Sequence, residues 1–265
     1  MSYLFAKLLP DFWSALRAVH VWTHMGMRDV KNRYRGTVMG IGWLFLSLAA
    51  LSGSVALVYG PLFGMNLKDF LPFLVLGLVA WGFIASTFVE GGQSFIIAEG
   101  YIKQMTFPKQ VYILRSSVSA VVVAAPGMLI YLMFIPLLWP VGWGILWFFP
   151  GLAILLTASV GHAWIMSYLA TRYRDLPHAV SAVLQIFYFL TPIIYPEEML
   201  AKRGLHMIYD VNPFYWLVTA VRYPLLHFGM APAYIYELAL GYCVLVWALA
   251  LTVGARMDRK IVYYL

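Results

Sequence analysis

Between Arg115 and Arg172 the chain runs through 56 residues without one Asp, Glu, Lys or Arg. As helix, at about 1.5 Å per residue, that run is far longer than the roughly 30 Å apolar layer of a bilayer, so it has to fold back. Trp139-Pro140-Val141-Gly142-Trp143-Gly144 supplies the break, because proline and glycine end helices and Trp favours the membrane–water interface. A second uncharged run, Gly36 to Leu67, precedes it. Only 11% of the chain is charged and 63% is hydrophobic, against about 25% charged in soluble domains. A water-facing surface cannot be built from this composition, so a second apolar solvent is implied.

Charge therefore marks the connections. The pattern predicts an all-α integral membrane protein with spans over residues 37–59, 70–89, 111–138, 145–170, 176–195 and 238–255. Residues 90–110 are polar enough to leave the membrane after the second span. Residues 197–236 carry Glu197, Glu198, Lys202, Arg203, Asp210 and Arg222 around an apolar stretch, 211–221, too short to cross. That stretch suits a re-entrant or interfacial segment. Residues 1–36 read as a cytoplasmic interface helix: Arg17, His24, Arg28, Lys31 and Arg35 fall on one stripe, with Leu16, Val19, Met27 and Val30 supplying apolar surface elsewhere. An equally good reading is a basic flank that only sets orientation. The whole chain, 1–265, forms one transmembrane domain: 1–36, then spans one to five in 37–196, an external gate segment in 197–236, and the last span and tail in 237–265.

Loop charge orients the chain. Fourteen Lys and Arg fall in the segment before span one, the loops at 103–115 and 172–174, and the tail; four fall on the other side. Positive loops stay inside, so both termini are expected in the cytoplasm. The net charge of +7 is then directed at lipid headgroups, not nucleic acid. A removable signal peptide is not expected: the first 20 residues contain Lys7, Pro10, Asp11 and Arg17 and no long apolar core. A single cysteine, Cys243, rules out an internal disulfide.

Enzyme chemistry finds little footing. No Lys follows a Gly, so a phosphate-binding P-loop is missing, and the six His show no metal-ligand spacing. Ser94 is the nearest nucleophile for a rhomboid-like protease but falls in a charged loop. Glu197-Glu198 approaches the paired-glutamate protease pattern, yet Lys202 stands where Arg is required. The predicted spans hold His162 and His178 and no carboxylate, which argues against catalysis and proton coupling within the membrane. His162 is expected to be a neutral side chain bonded to a neighbouring helix, and His178 to be interfacial.

Several motifs, in order, carry a resemblance: Arg28-Asp29-Val30-Lys31-Asn32-Arg33-Tyr34-Arg35 followed by Gly40-Ile41-Gly42-Trp43; Tyr173-Arg174-Asp175-Leu176; Leu184 through Pro196, with Thr191-Pro192 within it; and Asn212-Pro213-Phe214. Across its length the chain resembles the permease subunits of the ABC-2 type, in particular the polysaccharide exporters for O-antigen, capsule and teichoic acid. The resemblance implies a homodimer in the bacterial inner membrane, with two cytoplasmic ABC ATPase subunits that hold ATP and Mg, and no cofactor, metal or catalytic residue in this chain. It implies a coupling helix at residues 95–105, its contacts made by Ala98, Glu99, Gly100, Tyr101, Ile102 and Lys103. The cargo would be a glycan on an undecaprenyl diphosphate. Its headgroup would meet Arg28, Lys31, Arg33 and Arg35, its sugars would slide past Trp43, Phe187 and Tyr188, and Asn212, Pro213 and Phe214 would form the external gate. A permease for a drug or a lipid, or a membrane-embedded enzyme of lipid-linked sugar metabolism, remains the alternative at this point.

Overall fold

A computed structural model describes residues 4–105, 107–138 and 142–265, and these contain helices and no strand. After a π-helical turn at Leu4–Leu8, α1 (Leu9–Arg17) and α2 (Val19–Arg33) precede the long helices α3 (Gly42–Leu62) and α4 (Leu67–Ile97). A short α5 (Glu99–Gln104) leads into α6 (Gln110–Leu138), and a 3₁₀ turn at Trp143–Trp147 into α7 (Phe148–Arg172). Then come α8 (Leu176–Leu190), the short α9 (Glu197–Ala201) and α10 (Met207–Asp210), α11 (Pro213–His227), α12 (Ala233–Met257) and a closing turn, α13 (Ile261–Tyr264). Among the described residues five helices, α3, α4, α6, α7 and α12, are long and apolar enough to cross a membrane. The fifth predicted span is shorter than expected: α8 stops at Leu190. Pro192 forces Thr191 into extended backbone, where a helix cannot continue.

The centre of the bundle is α4, packed against α3, α6, α7, α8 and α11. Its course corrects the predicted exit at residue 90. Glu90-Gly91-Gly92-Gln93 looks like a loop, yet the helix continues to Ile97. Gly91 explains it: a Cβ there would stand 2.5 Å from the Cα of Ala163, so the glycine lets α4 and α7 touch backbone to backbone. On α3 the small residues Ser52, Ala56 and Gly60 recur every fourth position, and these are its buried residues. Its other sides are largely exposed.

The basic amino-terminal segment is two helices, broken at Ala18, so Arg17 stands on α1 and Arg35 beyond the end of α2. The single continuous stripe is corrected accordingly. On α2, Gly26 and Val30 are buried against α6, while Val19 and Met27 are exposed. Asp29 fixes the contact, accepting two bonds from Arg115 of α6 at 2.5 and 2.6 Å. The break expected at 139–144 lies outside the described residues at Trp139, Pro140 and Val141; from Gly142 onward the chain turns into the 3₁₀ segment.

The four basic segments expected to share a side meet at one end of the bundle. Asp29 pairs with Arg115, Lys109 with Asp258, and Arg174 donates to the carbonyl of Tyr264 at 3.2 Å. At the opposite end, Glu197 and Glu198 face Met65, Asp69 and His227 across a small cavity.

Candidate functional site

At the end holding both termini, α5 is a two-faced helix. Ala98 bends the chain out of α4, with φ −92° and ψ 7°. Ala98 and Ile102 are buried, whereas Gly100, Tyr101 and Lys103 are exposed. The expected coupling helix is therefore shorter than 95–105, since Phe95 to Ile97 still belong to α4. Glu99 and Lys103 pair at 2.6 Å one turn apart, and this hydrogen bond holds the Glu99 carboxyl below the usual carboxylate range. The helix is tied into the fold just beyond its end. Lys109 Nζ donates to the carbonyl oxygen of Asp258 at 2.6 Å and lies 3.2 Å from its carboxylate, which also accepts from the Tyr168 hydroxyl of α7 at 2.8 Å. Asp11 of α1 shares a cavity of about 270 Å³ with Ile102, Lys109 and Asp258. Burial raises the Asp11 carboxyl and Lys7 opposes that shift. Ile102 of α5 thus lies beside a junction that joins Lys109, Asp258, Tyr168 of α7 and Asp11 of α1. Sequence reading missed Asp258 and Tyr168; the one signal was a lone carboxylate in a tail of Arg256, Arg259 and Lys260.

In the bundle's middle an aromatic cluster joins five helices. Phe187 of α8 meets Phe214 of α11 edge-to-face at 5.1 Å, and Tyr188 lies 5.8 Å from Trp81 of α4. Phe214, expected at the external gate, is buried inside this cluster, with Phe88 and Trp81 also against it. Phe88 stacks on His162 at 4.3 Å, and His162 Nε2 shares a hydrogen bond of 2.8 Å with the Tyr242 hydroxyl of α12. The expected bond from His162 to a neighbouring helix is present. Trp43 stands apart on α3, 43% exposed, and the aromatic contacts of the described residues do not join it to Phe187 or Tyr188.

At the far end, Asn212 and Pro213 lie in the turn after α10 and begin α11. The Asn212 side chain accepts from the Phe214 N–H, capping the helix, and donates to Thr191 Oγ1 at 2.8 Å. That second bond pins α11 to the turn that ends α8. Arg222, one turn of helix from the end of α11, is 3% exposed. It donates to the Pro192 carbonyl at 2.7 Å, faces Glu197 at 3.6 Å and lies over the Phe73 ring at 4.1 Å. Burial raises the Glu197 carboxyl, and the Arg222 charge opposes the shift. From sequence Arg222 was only an outer charge. Its burial depends on partners 30 and 25 residues away, which no local pattern reveals.

Of the four expected headgroup cations, Arg28, Lys31 and Arg35 are exposed, and no carboxylate among the described residues pairs with them. Arg33 is engaged by Glu90 of α4 at 3.0 Å. No group of three or more His, Cys, Asp or Glu suited to a metal ion occurs among the described residues.

Long apolar helices around an aromatic centre, a latch at one end and a tethered surface helix at the other define a multi-pass membrane protein. The chain belongs to the ABC-2 type transporter family, whose sequence profile matches residues 20–226. It is similar to the O-antigen export system permease protein RfbA of Myxococcus xanthus, with 29% identity over 198 residues covering 73% of this chain and 75% of that protein. The protein of the same name from Klebsiella pneumoniae is 24% identical over 196 residues, covering 72% of this chain and 71% of its own length.

Proposed function

We propose that the chain is the membrane-spanning subunit of an ABC exporter that moves a lipid-linked polysaccharide across the bacterial inner membrane. Relatives named as O-antigen export permeases support the cargo class. The observation that carries the mechanism is the tethering of α5: an exposed face of Gly100, Tyr101 and Lys103, backed by the junction of Lys109, Asp258 and Tyr168. A short helix so anchored converts a push from outside into rigid-body movement of the helices behind it. The push comes from two cytoplasmic ATPase subunits, which bind ATP and Mg, acting on two copies of this chain.

In this reading α8 and the turn after it make a sixth crossing. Arg174 at its start lies beside the carboxy terminus, and Glu197 beyond its end lies beside Asp69 at the other pole. The end with both termini faces the cytoplasm, where α2 rides at headgroup level. Arg28, Lys31 and Arg35 meet the diphosphate of the undecaprenyl-linked cargo, with Arg33 acting only if it leaves Glu90. Phe187, Tyr188 and Trp43 offer flat faces to sugar rings, and Asn212 and Pro213 with the Arg222–Glu197 pair form the outer gate.

The test is co-purification of the ATPase subunit with wild type and with Tyr101→Glu, alongside export in cells. The substitution is expected to lower recovery of the ATPase at least tenfold and to abolish export while the permease still reaches the membrane. Undiminished recovery with normal export would contradict the coupling role.

A further inference from the structure

A polar cavity and an apolar trough follow one another along the seam between α4 and α6. The cavity, about 500 Å³, opens between these helices and α2 and is walled by Asp29, Glu90, Arg33 and Arg115. Asp29 and Arg115 are locked to each other by two bonds. Glu90 and Arg33 share a single bond of 3.0 Å, with the Arg33 side chain 48% exposed and the Glu90 side chain 16% exposed. Arg33 keeps N–H donors to spare and Glu90 keeps a second oxygen. In the same wall stand Ser94 and Ser119, 6% and 2% exposed, whose hydroxyls have no hydrogen-bond partner among the described residues. Both oxygens are closed off from the open space as well, so they do not add to the cavity's free hydrogen-bonding groups.

One turn further along α4 the lining changes character. A trough of about 280 Å³ runs between α3, α4 and α6, with Leu44, Leu48, Leu51, Phe83 and Val123 along it. The two spaces neighbour each other along the helices: on α6 Ser119 lines the cavity and Ala120 the trough, and on α4 Val89 lines the first and Ser86 the second. Together they span Ile97 to Leu78 of α4, about 28 Å at the helical rise. Gly82 opens the trough, because a Cβ there would meet nothing within 4 Å. Gly127 closes it, with a Cβ landing 2.2 Å from Val79.

We infer that this groove, within one protomer, is a resident lipid site whose ligand is a zwitterionic phospholipid carrying a primary ammonium beside its phosphate. The order of charged mouth and apolar trough is that of headgroup and acyl chain. The charge balance selects the headgroup. Two carboxylates and two guanidiniums sum to zero, so an anionic phosphate alone would take Arg33 and leave Glu90 half-buried without a partner. A zwitterion inserts between them, its phosphate on the free donors of Arg33 and its ammonium on Glu90. The site differs from the one proposed for the cargo diphosphate, which rests on Arg28, Lys31 and Arg35, and the two meet only at Arg33.

The test is native mass spectrometry of the purified full-length chain, offered equal amounts of phosphatidylethanolamine, phosphatidylcholine and phosphatidylglycerol with identical chains. One phosphatidylethanolamine per protomer is expected, retained at least tenfold over the other two. Gly82→Leu, whose Cβ meets no neighbouring atom and whose side chain enters the trough, should lower occupancy at least tenfold with an unchanged unfolding curve. Glu90→Gln should bring phosphatidylethanolamine and phosphatidylcholine to equal retention. Preference for phosphatidylglycerol, retention without preference, no bound lipid, or wild-type occupancy in Gly82→Leu would each overturn the proposal.

Discussion

Arg222 is buried at one end of an apolar helix, and its surroundings show how a lone cation is kept there. The Pro192 carbonyl, the Glu197 carboxylate and the Phe73 face each take one side of the guanidinium. Arg222→Ala removes the donor and leaves the Pro192 carbonyl without its bond, so a loss of about 1–3 kcal/mol is expected in reversible unfolding from detergent. Glu197→Gln leaves the carbonyl bond intact and should cost less than about 1 kcal/mol, since its partner is 3.6 Å away and Glu197 is partly exposed. Equal losses for the two would show that the ion pair, and not the carbonyl bond, carries the stabilisation. Lys109 plays a comparable part at the other pole. Lys109→Met is expected to leave the chain folded and bound to its ATPase while export falls at least tenfold, because the push on α5 no longer reaches Asp258.

Elements were legible in the sequence to the extent that they follow local chemistry. The long uncharged runs gave α3, α6, α7 and α12 nearly as drawn, because a bilayer span is a matter of length and apolarity. α4 was cut short in the reading since Glu90-Gly91-Gly92-Gln93 carries every local sign of a loop. The glycines answer instead to the close approach of α7, which is tertiary. Gly91→Val should force those backbones apart, costing about 1–3 kcal/mol by overpacking, visible as a lowered unfolding midpoint; an unchanged midpoint would mean the contact is slack. For α8 the stop at Thr191-Pro192 is local, but the expected span ran through it to Tyr195. Among the expected site residues, Phe187 and Tyr188 do meet other aromatics, and Asn212 does begin an element. Their partners, Trp81, Phe214 and Thr191, come from elsewhere in the chain and could not be read from spacing. The junction of Lys109 with Asp258 spans 149 residues and lay beyond any pattern argument.

At the scale of the whole molecule, the two poles are chemically unlike. One gathers the amino-terminal helices, α5 and the basic tail; the other gathers α9, α10 and the Arg222 latch. Export by this chain as proposed requires the first pole to face the cell interior and the second to face out. Cys243, buried in α12, is the sole cysteine, so a Cys243→Ala background permits single probes. Tyr101→Cys reports on the exposed face of α5, and Met207→Cys on α10, where Met207 is 68% exposed. Labelling with a membrane-impermeant thiol reagent on spheroplasts and on inverted membrane vesicles tests the arrangement directly. Met207→Cys is expected to react in spheroplasts and be protected in inverted vesicles, and Tyr101→Cys to show the reverse. Reaction of both positions from one face, or the opposite pattern, would contradict it.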